Sequence, residues 1–326
     1  MRVYFWGTRG SLPASYSYEI IKKKIFAAIK ATSSLSLRTD EEIEKFIYKG
    51  LNNKSLPFSA ICSYGSNTSC MEIDGSNEYI ICDAGTGLRD FGNYVLRSPV
   101  YKGTNKTNIF NIFISHLHWD HIQGFPFFTP AFLEGNHVHI YGFHKELKKA
   151  FLMQQEYPCF PIPLKFMKAD LEFTVLESGR EYEIGGFNVK GIKQNHPGDS
   201  YGYRFEKDGK SIVYSTDSEH KDDIYDDEYN FVDFFRNADL LVFDAQYSLL
   251  DAISAKENWG HSNNIIAVEL SVKSGVKHLC LYHSEPTLND EKLDEILEET
   301  RRYQKIFAES FLIKIDIAYD GMQVEL

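Results

Sequence analysis

The chain has few of the features that mark secreted or membrane proteins. Its 326 residues include only 5 cysteines, and no two of them form a C-x-x-C pair. We therefore expect reduced thiols rather than a disulfide framework or a zinc ribbon. No apolar run approaches the roughly 18 residues that a membrane span needs, and the N-terminus lacks the apolar core of a signal peptide. These absences predict a cytoplasmic protein that does not contact a membrane.

Positive charge is also scarce, with 35 Lys and Arg against 46 Asp and Glu and a net charge of −11. Extended RNA or DNA binding normally depends on a basic stripe, so a long nucleic acid is not the expected partner and a small substrate fits better. The local exception is Lys22, Lys23, Lys24 and Lys30. Apolar residues make up 43% of the chain and no Pro- or Ser-rich linker divides it, which predicts one domain over residues 1–326.

Strand-like and helical patterns alternate along the chain. The predicted strands are 3–6, 79–82, 109–114, 137–141, 170–176, 187–192, 211–215, 240–243 and 278–282. The predicted helices outside the N-terminal region are 145–157, 226–237, 263–274 and 289–307. By themselves these patterns predict an α/β or α+β fold.

The six residues from His116 to His121, His-Leu-His-Trp-Asp-His, directly follow the predicted strand 109–114. Three imidazoles and a carboxylate in so short a segment can surround two divalent metals. Imidazole and carboxylate ligands suit zinc, manganese or iron better than calcium. If one coordination position stays open, a bound water of lowered pKa becomes a nucleophile. The motif therefore predicts a hydrolytic metal site.

Three other residues of ligand type stand just after predicted strands. His196 follows the run 187–193, Asp217 follows 211–215, and His283 follows 278–282. A metal site assembled on a sheet should draw its remaining ligands from the ends of other strands. We expect these three side chains to meet the motif at His116–His121.

This order of ligands resembles that of the metallo-β-lactamase-fold hydrolase superfamily. The resemblance implies a four-layer αββα sandwich, with two mixed sheets face to face and helices on both outer surfaces. It also implies two divalent metals, with zinc first and manganese or iron as alternatives, and a hydroxide shared between them as the nucleophile. One metal would be held by His116, His118 and His196, the second by Asp120, His121 and His283, with Asp217 bridging the two. Asp120 would also orient the nucleophile or accept its proton.

Four further segments, 6–13, 65–70, 82–87 and 259–262, are similar to the phosphodiesterase branch of that superfamily, which includes cyclic phosphodiesterases and tRNA 3′-processing nucleases. The expected substrate is a small cyclic or nucleotide-type phosphodiester. His261, at or just before a predicted helix N-terminus, would bind a phosphate oxygen or protonate the leaving alkoxide.

The same resemblance suggests several supporting residues. Arg9, Thr86 and Ser262 are the expected substrate-binding residues. We assign Asp83 to bracing the loop that carries Thr86, and we leave His220, three residues after Asp217, outside the ligand set.

The main departure from the superfamily pattern is an insertion at about 14–60. Residues 18–30 have the pattern of a basic amphipathic helix, and Thr39 to Glu42 has the form of a capping box that begins a second helix through Lys49. A lid over the substrate, a contact in a homodimer and a cover over the sheet all remain open for this insertion.

Other functions also remain open. An acyl hydrolase of the same fold, such as a thioesterase or lactonase, could use the same metals, and a non-catalytic binding module could keep the fold without the chemistry. Two aromatic-rich segments, 123–128 and 157–164, are expected at the mouth of the cleft. Their rings could stack on a nucleobase or simply pack together.

Overall fold

Two seven-stranded sheets lie at the centre of the computed structural model, which describes residues 1–33, 35–52, 57–97, 108–226, 228–247 and 259–326. The strands are β1 Arg2–Gly7, β2 Cys70–Asp74, β3 Tyr79–Cys82, β4 Ile109–Phe113, β5 His137–Gly142, β6 Asp170–Val175, β7 Glu181–Ile184, β8 Phe187–Gln194, β9 Ser200–Lys207, β10 Lys210–Ser215, β11 Leu240–Asp244, β12 His278–Tyr282, β13 Lys314–Ile317 and β14 Gln323–Glu325. The first sheet has the order β14-β1-β2-β3-β4-β5-β6, and the second has the order β13-β12-β11-β10-β9-β8-β7.

Both sheets are mixed. In the first sheet β3, β4, β5 and β6 run parallel, and in the second sheet β10, β11, β12 and β13 do so. The remaining pairs are antiparallel. Because parallel strands place their carboxyl ends along one edge, each sheet gathers the residues that follow these strands at a common edge.

The helices in the described residues are α1 Tyr18–Thr32, α2 Asp40–Asn52, α3 Phe58–Ile61, α4 Gly87–Arg97, α5 Trp119–Ile122, α6 Leu147–Gln154, α7 Asn230–Phe235, α8 Asn264–Lys273 and α9 Asp290–Phe307. None of them combines the length and the apolar character that crossing a bilayer would require. The predicted cytoplasmic location is not tested by this finding and stays a prediction.

Three apolar cores account for the layering. The central core lies between the sheets and includes Phe5, Tyr203 and Tyr214. A second core packs α7, α8 and α9 on the outer face of the second sheet, and a third packs α4 and α6 on the outer face of the first. Burying both faces of each sheet removes a large apolar area from water, which is the main stabilising contribution to such a fold. The predicted four-layer αββα sandwich is confirmed.

All nine predicted strands are present, and the structure adds β2, β7, β9, β13 and β14. The predicted helix 226–237 is shorter than expected, because α7 begins only at Asn230 and ends at Phe235. The helix predicted over 145–157 spans only Leu147–Gln154.

The insertion contains α1 and α2, as the sequence pattern predicts. Thr39 Oγ1 accepts a hydrogen bond from Glu42 N (3.2 Å), and Glu42 Oε2 accepts one from Thr39 N (3.1 Å), so the capping box is formed. At the start of α1, Ser17 Oγ accepts from Ile20 N (3.3 Å). The single-domain organisation of the chain stays a prediction.

Candidate metal centre

The carboxyl ends of five parallel strands meet at one edge of the sandwich. Asp83 follows β3, His116 lies three residues after β4, Asp217 lies two residues after β10, Asp244 ends β11, and His283 follows β12. All five residues are buried. Each strand is apolar and fixed between packed layers, so the polar residue at its end has a fixed position. The sheet edge is therefore the framework of the site.

The first group of ligand-type atoms consists of three imidazole nitrogens. His118 Nδ1 lies 2.9 Å from His116 Nε2 and 3.2 Å from His196 Nε2. Burial lowers the pKa of all three rings, most strongly that of His116. The three rings are therefore neutral imidazoles, the form that binds metal.

A second group lies beside it. His121 Nε2 is 3.2 Å from both His283 Nε2 and Asp120 Oδ2, and His283 Nε2 is 3.2 Å from the same carboxylate oxygen. Asp217 stands between the groups, with Oδ1 3.7 Å from His116 Nε2 and Oδ2 3.3 Å from His121 Nε2. We call these seven residues the His/Asp cluster: His116, His118, Asp120, His121, His196, Asp217 and His283.

The outward nitrogens show which ring nitrogens are free. His196 Nδ1 donates to Gly260 O (2.9 Å), and His121 Nδ1 donates to Asp83 Oδ2 (2.7 Å), because a carbonyl and a carboxylate can only accept. Ser115 Oγ gives its one proton to Asp83 (2.8 Å) and so accepts from His116 Nδ1 (3.1 Å). In His116 and His196, Nε2 therefore presents a lone pair to the centre of the cluster, and in His121 Nε2 is the nitrogen directed there.

This donor set fits divalent metals. Converging lone pairs about 3 Å apart cannot all be satisfied by protons, whereas one cation satisfies them together. In the second group, burial opposes protonation, but the carboxylates of Asp120, Asp217 and Asp83 raise the pKa of His121 well above its ordinary value. The same imidazoles hold the carboxyl pKa of Asp120 and Asp217 below the usual range despite burial. Together the groups form a pocket of negative charge that a cation would neutralise.

Backbone geometry at the cluster is unusual. Asp83, Asp217 and His283 have φ angles of 62°, 52° and 62°, in the left-handed region that non-glycine residues seldom adopt. Such conformations concentrate at functional sites because the surrounding structure must hold them. Gly10 also packs directly on the cluster, since a β-carbon there would lie 2.6 Å from His283 Nδ1. The glycine in the early Gly-Thr-Arg-Gly-Ser turn is needed for this close approach.

His261 lies at the edge of the cluster and forms a pair with Asp244. Its Nδ1 donates to Asp244 Oδ2 (2.9 Å) and lies 3.8 Å from Asp217 Oδ1. Burial lowers the pKa of His261, but the carboxylate of Asp244 more than offsets this effect. The pKa of His261 therefore rises to about 9. Asp244 is held in turn by the amides of Ser218 and Gln246, each at 3.1 Å. Sequence reasoning missed Asp244, although it directly follows the predicted strand 240–243, just as the recognised ligands follow theirs.

Asp83 does more than brace the loop of Thr86. It accepts from Ser115 N (2.7 Å), Ser115 Oγ and Tyr214 OH (2.7 Å), besides His121 Nδ1. These contacts fix the ring and the tautomer of His121, so Asp83 is a partner of the cluster. The sequence signal was present, because Asp83 also follows a strand directly.

The structure does not bring the side chain of Arg9 to the cluster. Its Nε donates to Gly65 O (3.0 Å), its Nη1 donates to Leu288 O (3.0 Å) and Glu285 O (3.3 Å), and its Nη2 lies 3.6 Å from Asp290. The side chain is 3% exposed. The expected phosphate contact is therefore replaced by a framework role, because these contacts hold the guanidinium among backbone carbonyls and a carboxylate.

Thr86, Ser262 and His220 also serve the framework. Thr86 Oγ1 accepts from Thr68 N (2.9 Å) and donates to an amide oxygen, and Ser262 Oγ donates to Ser218 O (2.6 Å) and accepts from His220 N (3.1 Å). Both hydroxyls are used inside the protein, and their expected contact with substrate stays a prediction. His220 is buried against Phe243, and burial lowers its pKa to about 3.

Comparison with known proteins agrees with this geometry. Residues 78–284 match the family model described as the Beta-lactamase superfamily domain, so the chain belongs to this superfamily. The ribonuclease Z of Picrophilus torridus is 26% identical over 280 residues, which cover 69% of this chain and 83% of that protein.

Two solved structures share the fold. The short form of human tRNase Z has a TM-score of 0.59 at 18% identity, covering 100% of this chain and 99% of that chain. The metallo-β-lactamase fold protein YhfI from Bacillus subtilis has a TM-score of 0.62 at 18% identity, covering 99% of both chains. The predicted class, a metal-binding hydrolase of the metallo-β-lactamase superfamily, is confirmed.

Proposed function

We propose that the chain is a dinuclear metal-dependent phosphodiesterase that acts on a small, nucleotide-type phosphodiester. The observation that carries the proposal is the His/Asp cluster with the His261–Asp244 pair at its edge. In support, the Picrophilus torridus relative is named for a ribonuclease activity, the cleavage of a phosphodiester.

Two metals would be held by the two groups of the cluster. His116, His118 and His196 would hold one, Asp120, His121 and His283 the other, and Asp217 would contact both. The ions supply Lewis-acid chemistry and lower the pKa of bound water. Zinc suits this nitrogen-rich set, and manganese or iron remain alternatives.

The protein supplies two groups for proton transfer. Asp120 stays ionised beside His121 and His283, and its Oδ2 accepts from Ser11 N (2.8 Å), which fixes the carboxylate where it can orient a nucleophile or take its proton. His261 stays protonated through Asp244, so it can donate a proton to the leaving oxygen.

A small substrate fits the charge of the molecule. The net charge of −11 disfavours a long polyanion. Lys24, one member of the basic run in the insertion, contacts Asp290 at 2.6 Å. A homodimer through the insertion stays a prediction.

The test is hydrolysis of bis(p-nitrophenyl) phosphate by the full chain after chelation and reconstitution with zinc, manganese or iron. We expect metal-restored cleavage of the diester without comparable cleavage of p-nitrophenyl acetate or a thioester. Asp120→Ala should reduce turnover by hundreds-fold or more, on the order expected for losing a metal ligand and proton acceptor. Asp170→Ala, a change of an exposed carboxylate on the edge strand β6, is the matched control and should have no effect. Acyl cleavage alone would favour a thioesterase or lactonase. No cleavage of any of these substrates would favour a binding module.

A further inference from the structure

Two of the three tryptophans of the chain are exposed beside the His/Asp cluster. Trp119 is 78% exposed and lies between His118 and Asp120, and Trp259 is 59% exposed and precedes Gly260 and His261. An indole is a large apolar group that proteins usually bury. Two exposed indoles, each next to a residue of the site, indicate that these rings have a role outside the core.

Trp6 shows how this chain treats an indole that serves packing. Its Nε1 donates to Glu72 Oε2 (2.9 Å), and its ring packs on Phe91 and Tyr94 with centroid distances of 5.6 Å and 5.1 Å. Within the described residues, the structure gives no hydrogen bond and no aromatic partner for the ring of Trp119 or that of Trp259. Their exposure is therefore not compensated by such contacts in the described part of the chain.

Each of the two tryptophans adjoins, along the chain, a residue that contacts the imidazole group. The contact of His118 with His196 (3.2 Å) and the bond from His196 Nδ1 to Gly260 O (2.9 Å) connect the residue before Trp119 to the residue after Trp259. Gly260 packs so closely on His196 that a β-carbon would lie 2.4 Å from Nδ1. Both tryptophans are thus attached to residues that are fixed at the imidazole group, and we call the exposed surface around them the entrance to the cluster.

The entrance needs such a binding group. Arg9 and Lys24 are both directed at Asp290, so neither is available to hold a phosphate. Besides the proposed metals and the protonated His261, affinity for a small diester would then come from uncharged contacts. Every nucleobase offers a flat π-face, and an exposed indole stacks on it without needing a particular base sequence.

We propose that Trp119, assisted by Trp259, forms a stacking subsite for a nucleobase, so that the substrate class is a short diester carrying at least one base. This inference rests on the proposed phosphodiesterase function and specifies its substrate. Trp119 and Trp259 act here as specificity-determining residues and take no part in proton transfer.

The experiment uses two diesters with the same leaving group on the metal-loaded full chain. One is the p-nitrophenyl ester of thymidine 5′-phosphate, and the other is methyl p-nitrophenyl phosphate, which has no base. Trp119→Ala should lower kcat/KM for the thymidine ester by about 5- to 150-fold, the range found for losing one stacked base. The loss should appear in KM, because stacking is uniform binding, and the methyl ester should change less than about twofold.

Three further variants sharpen the result. Trp119→Phe should retain most of the thymidine preference, because it keeps an aromatic face, and Trp259→Ala should lose part of it. Phe311→Ala is the matched control. Phe311 is 43% exposed and precedes β13, which runs parallel to β12, so it lies at the sheet end opposite His283.

The outcomes separate this inference from the proposed function. Equal losses on both esters, or none on either, would contradict the stacking subsite while leaving the phosphodiesterase intact. If the wild-type chain cleaves neither ester, the proposed function fails, and ligand binding then tests the stacking subsite. In that case thymidine 5′-monophosphate should still quench tryptophan fluorescence more strongly than deoxyribose 5-phosphate, and Trp119→Phe should reduce the difference. The same quenching by both ligands would contradict the subsite.

Discussion

Four of the five rings in the His/Asp cluster are at least nine-tenths buried, whereas no residue of α1 in the insertion is buried. The cluster consists of polar side chains that are fixed by other polar groups inside the protein. The insertion carries apolar side chains on its outside, with Ile25 55% exposed and Phe26 69% exposed. The cluster therefore buries polar groups and the insertion exposes apolar ones, which is the reverse of an ordinary core and surface.

The two regions differ in how their positions are determined. In the cluster, each ring follows a rigid strand or is held by a specific acceptor such as Asp83 or Gly260. α1 is fixed at its base by one buried carboxylate, since Asp290 contacts Lys24 at 2.6 Å and accepts from Tyr16 OH at 2.7 Å. Polar contacts thus contribute to fixing both regions, the rings of the cluster through their acceptors and α1 through Asp290.

The largest effect is expected where a polar contact supports proton transfer. His261→Gln should lower kcat for the diester by at least about a hundredfold, because it removes the proposed proton donor. Asp244→Asn should lower it less, because the ring remains while its charge and orientation lose support. The measurement is the rate constant of diester cleavage in single-turnover assays of the two single variants and of the double variant.

The double variant tests whether the two residues act as one unit. If they do, adding Asp244→Asn to His261→Gln should cause little further loss, a non-additive result expected for groups that act through each other. If the rate losses of the two single variants instead multiply in the double variant, Asp244 acts independently of His261. That result would contradict the claim that the two residues act as a pair.

A smaller effect should follow from weakening the support of one ring. Asp83→Asn should reduce metal affinity by about 10- to 100-fold, the usual cost of losing a carboxylate partner of a ligating histidine. Competition with a chromophoric chelator measures this affinity. Asp316→Asn is the matched control, because Asp316 also pairs with an imidazole, His278, at 3.0 Å but outside the cluster. Equal metal affinity in both variants would show that Asp83 does not tune the site.

Sequence reasoning named all seven residues of the His/Asp cluster because their signals are local. The motif at His116–His121 and the single residues after three strands are visible without knowing the fold. The partners Asp83 and Asp244 were underestimated or missed because their importance depends on which histidine they face. Arg9 was misassigned for the same reason, since its acceptors Gly65 O and Leu288 O are distant in the chain.

The missed strands have equally specific causes. β7, β13 and β14 are edge strands of only three or four residues, too short for their alternation of polar and apolar residues to stand out in the sequence. β9 is central, but it contains Gly202 and Arg204. Arg204 is buried because its Nη1 donates to Phe234 O (3.0 Å) and Arg236 O (3.1 Å) at the end of α7. The sequence alone does not show that these carbonyls satisfy the charge.

A moderate effect on stability should follow from removing the charge that anchors the insertion. Lys24→Met should lower the free energy of unfolding by about 1–3 kcal/mol, since it leaves the buried carboxylate of Asp290 with Arg9 as its remaining cationic partner. Urea unfolding measures the change. Lys22→Met, on the same helix, should stay within about 0.5 kcal/mol. Equal values for the two variants would contradict the role of Lys24 as an anchor.

The smallest effect is expected on the outer face of the insertion, where Ile25→Ser should change the free energy of unfolding by less than about 0.5 kcal/mol because the side chain is already exposed. Ile20→Ser should be more destabilising, because Ile20 lines a cavity with Tyr16 and Leu288 at the base of α1. Sedimentation and kinetics of Ile25→Ser then separate the three roles open to the insertion.

A dimer contact predicts that the wild-type chain sediments as a dimer and that Ile25→Ser shifts it towards the monomer. A lid predicts an unchanged sedimentation coefficient with a raised KM, and a cover predicts neither change. A loss of more than about 1 kcal/mol that grows with protein concentration would show that Ile25 is buried by a second copy, because association stabilises the folded state by mass action. In that case the apolar face of α1 would have a partner after all, and the contrast with the His/Asp cluster would hold only for the isolated chain.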